Sequence, residues 1–169
     1  MPFPKLLDNL GSLMIDLGGT QGSLGSQNNN SPFQVKGNVI KPLICYESVY
    51  GDLDNGSSNV ISIITNDGWW KNTAGYKQHL AYARIRSIEQ RKPIIRSANT
   101  GISAIIDLNG NIVKRSKWNE RICLSGIINL NHEDTFYSSF GDYIGRLCLF
   151  ISFIILTTSL VRSRVNKFS

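Results

Sequence analysis

Cys45 stands where the apolar run Pro42-Leu43-Ile44 gives way to the polar Tyr46-Glu47-Ser48. Val39 to Ile44 reads as a strand, and Tyr46 to Tyr50 opens a helix whose unpaired N–H groups and dipole favour a negatively charged sulfur. A thiol so placed is a candidate nucleophile. The competing reading is a small buried hydrophobe, a common fate of cysteine beside aliphatic neighbours. The next apolar run adds context. Val60 to Thr65 is β-branched, lacks alternation and fits a strand buried on both faces. Tyr46 to Asn59 has the length of a crossover connection, so the two strands run parallel with their carboxyl ends together. The loop Asn66-Asp67-Gly68-Trp69-Trp70 then falls beside Cys45, at the sheet edge where open α/β folds place ligands.

The elements that must hold this edge follow from the rest of the pattern. A helix is predicted from Tyr76 to Arg91, with Ala81, Ile85 and Ile88 as its apolar stripe and Pro93 beyond its end. Ile94 to Ala98 and Ile102 to Asp107 read as strands joined at Asn99-Thr100-Gly101. Asn109-Gly110 marks a hairpin before Ile112-Val113, and the sheet is expected to continue through a strand from Arg121 to Asn129 with Cys123 in the core. Gly18 to Ser31 reads as an exposed loop without phosphate-loop spacing. The fold class is α/β.

Four blocks resemble apolipoprotein N-acyltransferase, a membrane enzyme family of the nitrilase (carbon–nitrogen hydrolase) superfamily. They are Ile44-Cys45-Tyr46-Glu47, Thr65-Asn66-Asp67-Gly68-Trp69-Trp70, Gln78-His79-Leu80 with Ala83-Arg84-Ile85-Arg86 and Glu89, and Arg96-Ser97-Ala98-Asn99-Thr100-Gly101-Ile102-Ser103. The resemblance runs from about Pro2 to the C-terminus, is most like the Bacteroidetes form, and covers the last third of a full enzyme. It implies a partial nitrilase-type α-β-β-α sandwich over residues 1–142, followed by one C-terminal transmembrane helix. It further implies two-step acyl transfer, from a phospholipid donor to a cysteine thioester, and then to the N-terminal amine of a diacylglyceryl-cysteine apolipoprotein. No cofactor is implied.

On that resemblance Cys45 matches the nucleophile and Glu47 a supporting acidic position. The backbone N–H of Tyr46 is placed to stabilise an oxyanion, although the residue serves equally well in packing. Asn66, Asp67 and Trp69 are expected among the substrate-binding or oxyanion residues. Nitrilase-type chemistry also needs a glutamate base and a lysine, which in the family precede the first residue of this chain. Lys5 stands where a family segment commonly ends in a functional glutamate, and neither Asp8 nor Asp16 is recommended as the base by its spacing. The chain is therefore expected to be the C-terminal part of an acyltransferase, with the missing N-terminal portion as a partner. Two rivals remain: a soluble-type carbon–nitrogen hydrolase, and an inactive membrane-tethered remnant.

Charge distribution argues against nucleic acid as a partner. Residues 1–142 carry 14 Lys and Arg against 12 Asp and Glu, a net of +2, while Arg146, Arg162, Arg164 and Lys167 supply the rest of the overall +6. Arg84, Arg86, Arg91, Lys92 and Arg96 read as a solvated helix face with salt bridges. Leu147 to Val161 holds no charge and, extended back to Tyr143, approaches the roughly 20 residues that cross a bilayer. Residues 143–161 are thus read as a transmembrane helix and 162–169 as a basic cytoplasmic tail, because the preceding Glu133, Asp134 and Asp142 offer no positive charge. The globular part is then expected in the periplasm, on the inner membrane. Met1 to Leu10 has two prolines and no sustained apolar core, so it does not read as a signal peptide. Three cysteines leave at least one thiol free, and His79 and His132 lack partners at ligand spacing, so no metal is expected. His79 is read as capping or orienting the loop before its helix.

Overall fold

The computed structural model describes residues 31–53 and 58–168, which belong to one of the two compact units of the chain, Ser31–Ser169. Apart from Ser31, the readings for Met1 to Leu10 and for the Gly18 to Ser31 loop lie outside the described residues. Strands β1 (Phe33–Val35) and β2 (Asn38–Ile44) form a hairpin. Lys36 and Gly37, with φ of 50° and 81°, supply the two left-handed positions that a tight hairpin turn requires. Strand β3 (Val60–Thr65) follows, then helix α1 (Ala74–Gln90), β4 (Ile94–Ala98), β5 (Ala104–Ile106) and β6 (Ile112–Arg115). The six strands pair in chain order. β2, β3 and β4 are parallel, and the outer pairings are antiparallel.

Register fixes the site. Ile44 pairs with Ile64, and Thr65 pairs with Ala98, so the three parallel strands end at one level. α1 is the crossover between β3 and β4. Thr73 caps it by accepting the Gly75 N–H, and Arg91 closes it in the left-handed conformation, φ 51°, ahead of Pro93. Asp107 accepts the backbone N–H groups of Asn109 and Asn111 at 2.9 and 2.8 Å, which shapes the Asn109-Gly110 turn between β5 and β6 as expected.

The core lies between α1 and one sheet face. Leu43, Ile61, Ile63, Ile94 and Ile106 pack there with Tyr76, Leu80 and Ala83. The opposite face contradicts the reading of β3 as buried on both sides: Ile44 is 64%, Ile64 56% and Ile95 42% exposed. Apolar composition records what each face can bury, and carries no information on whether the covering layer belongs to the same stretch of chain. The stripe expected on α1 is also the wrong one. Ala81, Ile85 and Ile88 are exposed, while Tyr76, His79, Leu80, Ala83, Arg86, Ser87 and Gln90 face inward. Helical period is kept, but the inward face is half polar because its side chains find partners. The Ser87 hydroxyl, for instance, donates to the carbonyls of Lys92 and Asp107.

The basic cluster divides in the same way. Arg84 and Arg91 are exposed, whereas Arg86, Lys92 and Arg96 are buried and partnered. Lys92 donates to the carbonyls of Asn131 and Glu133 at 3.1 and 2.8 Å, and Asn131 returns a bond to the Arg91 carbonyl, pinning the chain after the sheet. The strand expected from Arg121 to Asn129 is an irregular segment instead. It is tied by Lys114 to the Ser125 carbonyl, and Cys123 is exposed rather than core. A short helix α2 (Phe136–Phe140), capped by Thr135, precedes α3 (Tyr143–Phe168). α3 runs on through the basic tail, since no Gly or Pro follows Gly145. Its Tyr143–Arg164 stretch has mean hydropathy 2.1, no burial, and a length of about 33 Å at 1.5 Å per residue. Among the described residues it is the one helix long and apolar enough to cross a membrane.

Candidate active site

β2 stops at Ile44 because the next residue leaves the extended region. Cys45 has φ 52°, a left-handed backbone that costs a non-glycine residue about 1–2 kcal/mol. Such strain persists only where surrounding contacts hold it, and it is a recurrent mark of functional positions. From Cys45 the chain makes one 3-10 turn, Cys45–Val49, and is extended again by Tyr50. The helix expected here is this single turn, so its dipole contribution is that of one turn. Two bonds close it: the Ile44 N–H donates to Glu47 Oε2 at 2.7 Å, and the Ser48 hydroxyl donates to the Cys45 carbonyl at 2.8 Å. Cys45 is half-buried, and Tyr46 and Glu47 are exposed. The Tyr46 ring meets that of Tyr50 edge-on at 5.9 Å. Packing through its side chain leaves its backbone N–H available for other work.

Behind this turn lies a buried polar chain. Asp67, two residues past β3, takes the His79 Nδ1 proton on Oδ1 at 2.8 Å and the Thr65 hydroxyl on the same oxygen at 2.9 Å. Its other oxygen receives Arg96 Nη2 at 2.5 Å. The far nitrogen of the same imidazole, Nε2, lies 3.0 Å from Ser48 Oγ and 3.1 Å from the Cys45 carbonyl oxygen. Trp70 packs edge-on to the ring with centroids 5.3 Å apart. Arg96 also donates Nε to the Ile102 carbonyl at 3.2 Å. Asp67, His79, Ser48 and Arg96 are all buried.

Burial alone would raise the pKa of Asp67, but the hydrogen bond from His79, the Arg96 charge and the Thr65 hydroxyl together outweigh it and hold the carboxyl below its ordinary value. Burial likewise pushes Arg96 down from its ordinary value, opposed by Asp67 and by negative charge at Cys45. Gly101, with φ 124°, approaches so closely that a Cβ would sit 2.6 Å from Asp67 Oδ2. Only glycine fits both that backbone and that space.

The residues singled out from sequence fall into two groups. Cys45, Tyr46 and Glu47 share the turn at the end of β2, and Asn66 and Trp69 lie exposed after β3, with Asn66 Oδ1 accepting the Gly68 N–H at 3.1 Å. Asp67 departs from its expected substrate-contacting place. It reaches no solvent, and its carboxylate is committed to three protein donors. Sequence reasoning missed Ser48 and misplaced Arg96. A signal for Arg96 existed: a lone arginine inside Ile94-Ile95-Arg96-Ser97-Ala98 stands on the same side of β4 as buried Ile94, and a charge there must be paired. Among the described residues no group of three His, Cys, Asp or Glu is arranged to hold a metal ion.

Comparison with known proteins finds relatives over most of this chain. Apolipoprotein N-acyltransferase of Rickettsia bellii is 39% identical over 132 residues, covering 74% of this chain and 26% of that protein. The enzyme of the same name from Sinorhizobium fredii is 38% identical over 116 residues, covering 67% of this chain and 22% of its own length. The chain thus spans about a quarter of the length of these relatives. A crystal structure of a carbon–nitrogen hydrolase from Helicobacter pylori superposes with TM-score 0.48 and 11% identity, over 55% of this chain and 41% of that one. The carbon–nitrogen hydrolase signature itself matches residues 10–132, and on that match the chain belongs to the carbon–nitrogen hydrolase family.

Proposed function

We propose that this chain carries the nucleophile of an apolipoprotein N-acyltransferase of the bacterial inner membrane, and that it works with the N-terminal portion of such an enzyme. The supporting observation is the strained Cys45 at the common carboxyl end of the parallel strands, held from behind by Ser48 and His79. In the first step the Cys45 sulfur attacks the ester carbonyl of a phospholipid, and the tetrahedral oxyanion collapses to a thioester as the lysophospholipid alkoxide leaves and takes up a proton. In the second step the α-amine of a diacylglyceryl-cysteine attacks that thioester. An amide forms, the carbon–sulfur bond breaks, and the thiol is returned. The Tyr46 N–H is the donor offered to the oxyanion, and Glu47 fixes the turn through the Ile44 N–H. Asn66 and Trp69, exposed after β3, are offered to the substrates.

The test is to incubate the full-length enzyme with labelled phosphatidylethanolamine and a diacylated lipopeptide. The expected result is a hydroxylamine-sensitive acyl adduct on the peptide containing Cys45, followed by triacylated product. Release of ammonia from small amides with no acyl adduct would instead favour a hydrolase.

The membrane reading rests on α3. Its basic end, Arg162 and Arg164 with Lys167, belongs in the cytoplasm by the positive-inside rule, and the globular unit then faces the periplasm. A cysteine tag placed after Ser169 should resist a membrane-impermeant maleimide in intact spheroplasts and react after lysis. Labelling before lysis would reverse the topology.

A further inference from the structure

The hydrogen-bond pattern around His79 can be resolved atom by atom. Asp67 Oδ1 lies 2.8 Å from Nδ1, and an ionised carboxylate only accepts, so Nδ1 carries a hydrogen. Arg96 Nη2 is also near Nδ1, at 3.2 Å, but it is a donor already directed at Asp67 Oδ2. On the other side of the ring, Nε2 meets the Cys45 carbonyl at 3.1 Å and the Ser48 hydroxyl at 3.0 Å, while that hydroxyl reaches the same carbonyl at 2.8 Å. A carbonyl accepts only. The Ser48 hydrogen goes to that carbonyl, and a hydrogen on Nε2 has the same carbonyl and the Ser48 oxygen as its acceptors, so the two side chains together hold one peptide group, the one joining Cys45 to Tyr46.

That peptide is trans and planar, so its N–H points opposite to its C=O. With the oxygen held inward against buried His79 and Ser48, the hydrogen of Tyr46 is turned away from them, toward the half-exposed side on which Cys45 lies. A backbone N–H has no rotamer of its own, and its aim is set by whatever fixes the carbonyl one atom away. We infer that His79, seated by Asp67 and aided by Ser48, is a positioning residue that aims the Tyr46 N–H at the oxyanion formed on acylation of Cys45. The inference rests on Cys45 being the acyl acceptor. Asp67 and Arg96 set the ring's orientation, and Trp70 closes its flank at 5.3 Å.

Two reactions of the same sulfur separate this role from ordinary packing. Acylation passes through an oxyanion, whereas alkylation by iodoacetamide displaces iodide and develops none. The measurement uses the full-length enzyme with Cys123→Ser and Cys148→Ser, and compares single-turnover acylation by a labelled phospholipid with the alkylation rate of Cys45. Ser48→Ala and His79→Leu should each slow acylation, up to the about 100- to 1000-fold typical of a lost oxyanion donor, with alkylation within about threefold of the parent and the KM for phospholipid little changed. His79→Gln, whose amide NH2 reaches the place of Nε2, should restore most of the acylation lost in His79→Leu. Because Ser48→Ala removes one hydroxyl only, it keeps the test decisive if His79→Leu does not fold. Parent-like acylation in Ser48→Ala and His79→Leu, or acylation and alkylation falling in equal proportion, overturns the assignment. A parent enzyme that alkylates at Cys45 but never acylates there overturns the acyltransferase reading instead.

Discussion

Cys45→Ala in the full-length enzyme is expected to abolish acyl transfer, with kcat falling by at least about 1000-fold, because no other side chain can take the thioester. Cys123 and Cys148 are exposed, the first on an irregular segment and the second on α3, so Cys123→Ala and Cys148→Ala should keep parental rates. The relevant measurement is formation of triacylated lipopeptide alongside the acyl adduct in each variant. Retention of turnover in Cys45→Ala would remove the nucleophile assignment and leave the φ of 52° as a structural matter only. The 169-residue chain alone should show no measurable turnover. Among its described carboxylates near the turn, Glu47 is engaged with the Ile44 N–H and Asp67 is buried among donors, so neither is free to take a proton from the thiol. Robust turnover by the chain alone would mean that one of its own carboxylates serves as the base.

What the sequence made legible was backbone pattern, and what it hid was side-chain partnership. The β-branched run from Val60 to Thr65 marks β3 to the residue, and Val39 to Ile44 marks β2 to within one. Crossover length then correctly implies a parallel pair ending together. Turn chemistry is equally readable at Asn109-Gly110, where glycine takes φ 78°. The inward face of α1 was not readable, because hydrophobic periodicity ranks Ile85 and Ile88 above His79, Arg86 and Ser87. Those three belong inside only because partners meet their side chains there: Asp67 and Cys45, distant in sequence, for His79; nearby Glu89 and distant Tyr137 for Arg86; and the carbonyls of nearby Lys92 and distant Asp107 for Ser87. The segment from Arg121 to Asn129 misled in the opposite sense. It has the composition of a strand, but apart from Lys114 holding the Ser125 carbonyl it takes no regular place beside β6. For the site, the position of Cys45 and the loop after β3 came from sequence, whereas the sharing of roles within that loop did not. Asn66 and Trp69 are turned outward and Asp67 inward by a register that only the folded sheet defines.

Asp67 and Arg96 are the buried charges on which the site depends, and separating them should cost the most stability of any change near it. Both side chains are sealed from solvent, with Nη2 and Oδ2 2.5 Å apart. Replacing both with apolar groups of matched volume can be nearly neutral in such pairs, whereas removing one partner strands the other, at about 3–5 kcal/mol. Asp67→Ala leaves Arg96 Nη2 and the His79 Nδ1–H without the Asp67 acceptor, so its unfolding free energy, read from denaturant titration, should drop by an amount in that range. Asp67→Asn retains an acceptor but loses the charge, and should fall between Ala and the parent. Tryptophan fluorescence, to which Trp70 contributes from its place edge-on to the imidazole, gives a readout that includes the site. The same pair sets an acid limit. The carboxyl of Asp67 is held below its ordinary value in the fold, so its contribution is complete above the unfolded value, about pH 4, and is lost as the pH falls through the lower folded value. The parent should therefore lose stability on acidification more steeply than Asp67→Asn, which has no proton to take up at that position. Equal midpoints for parent and Asp67→Ala at neutral pH, or parallel acid profiles for parent and Asp67→Asn, would show that the pair does not secure the turn bearing Cys45.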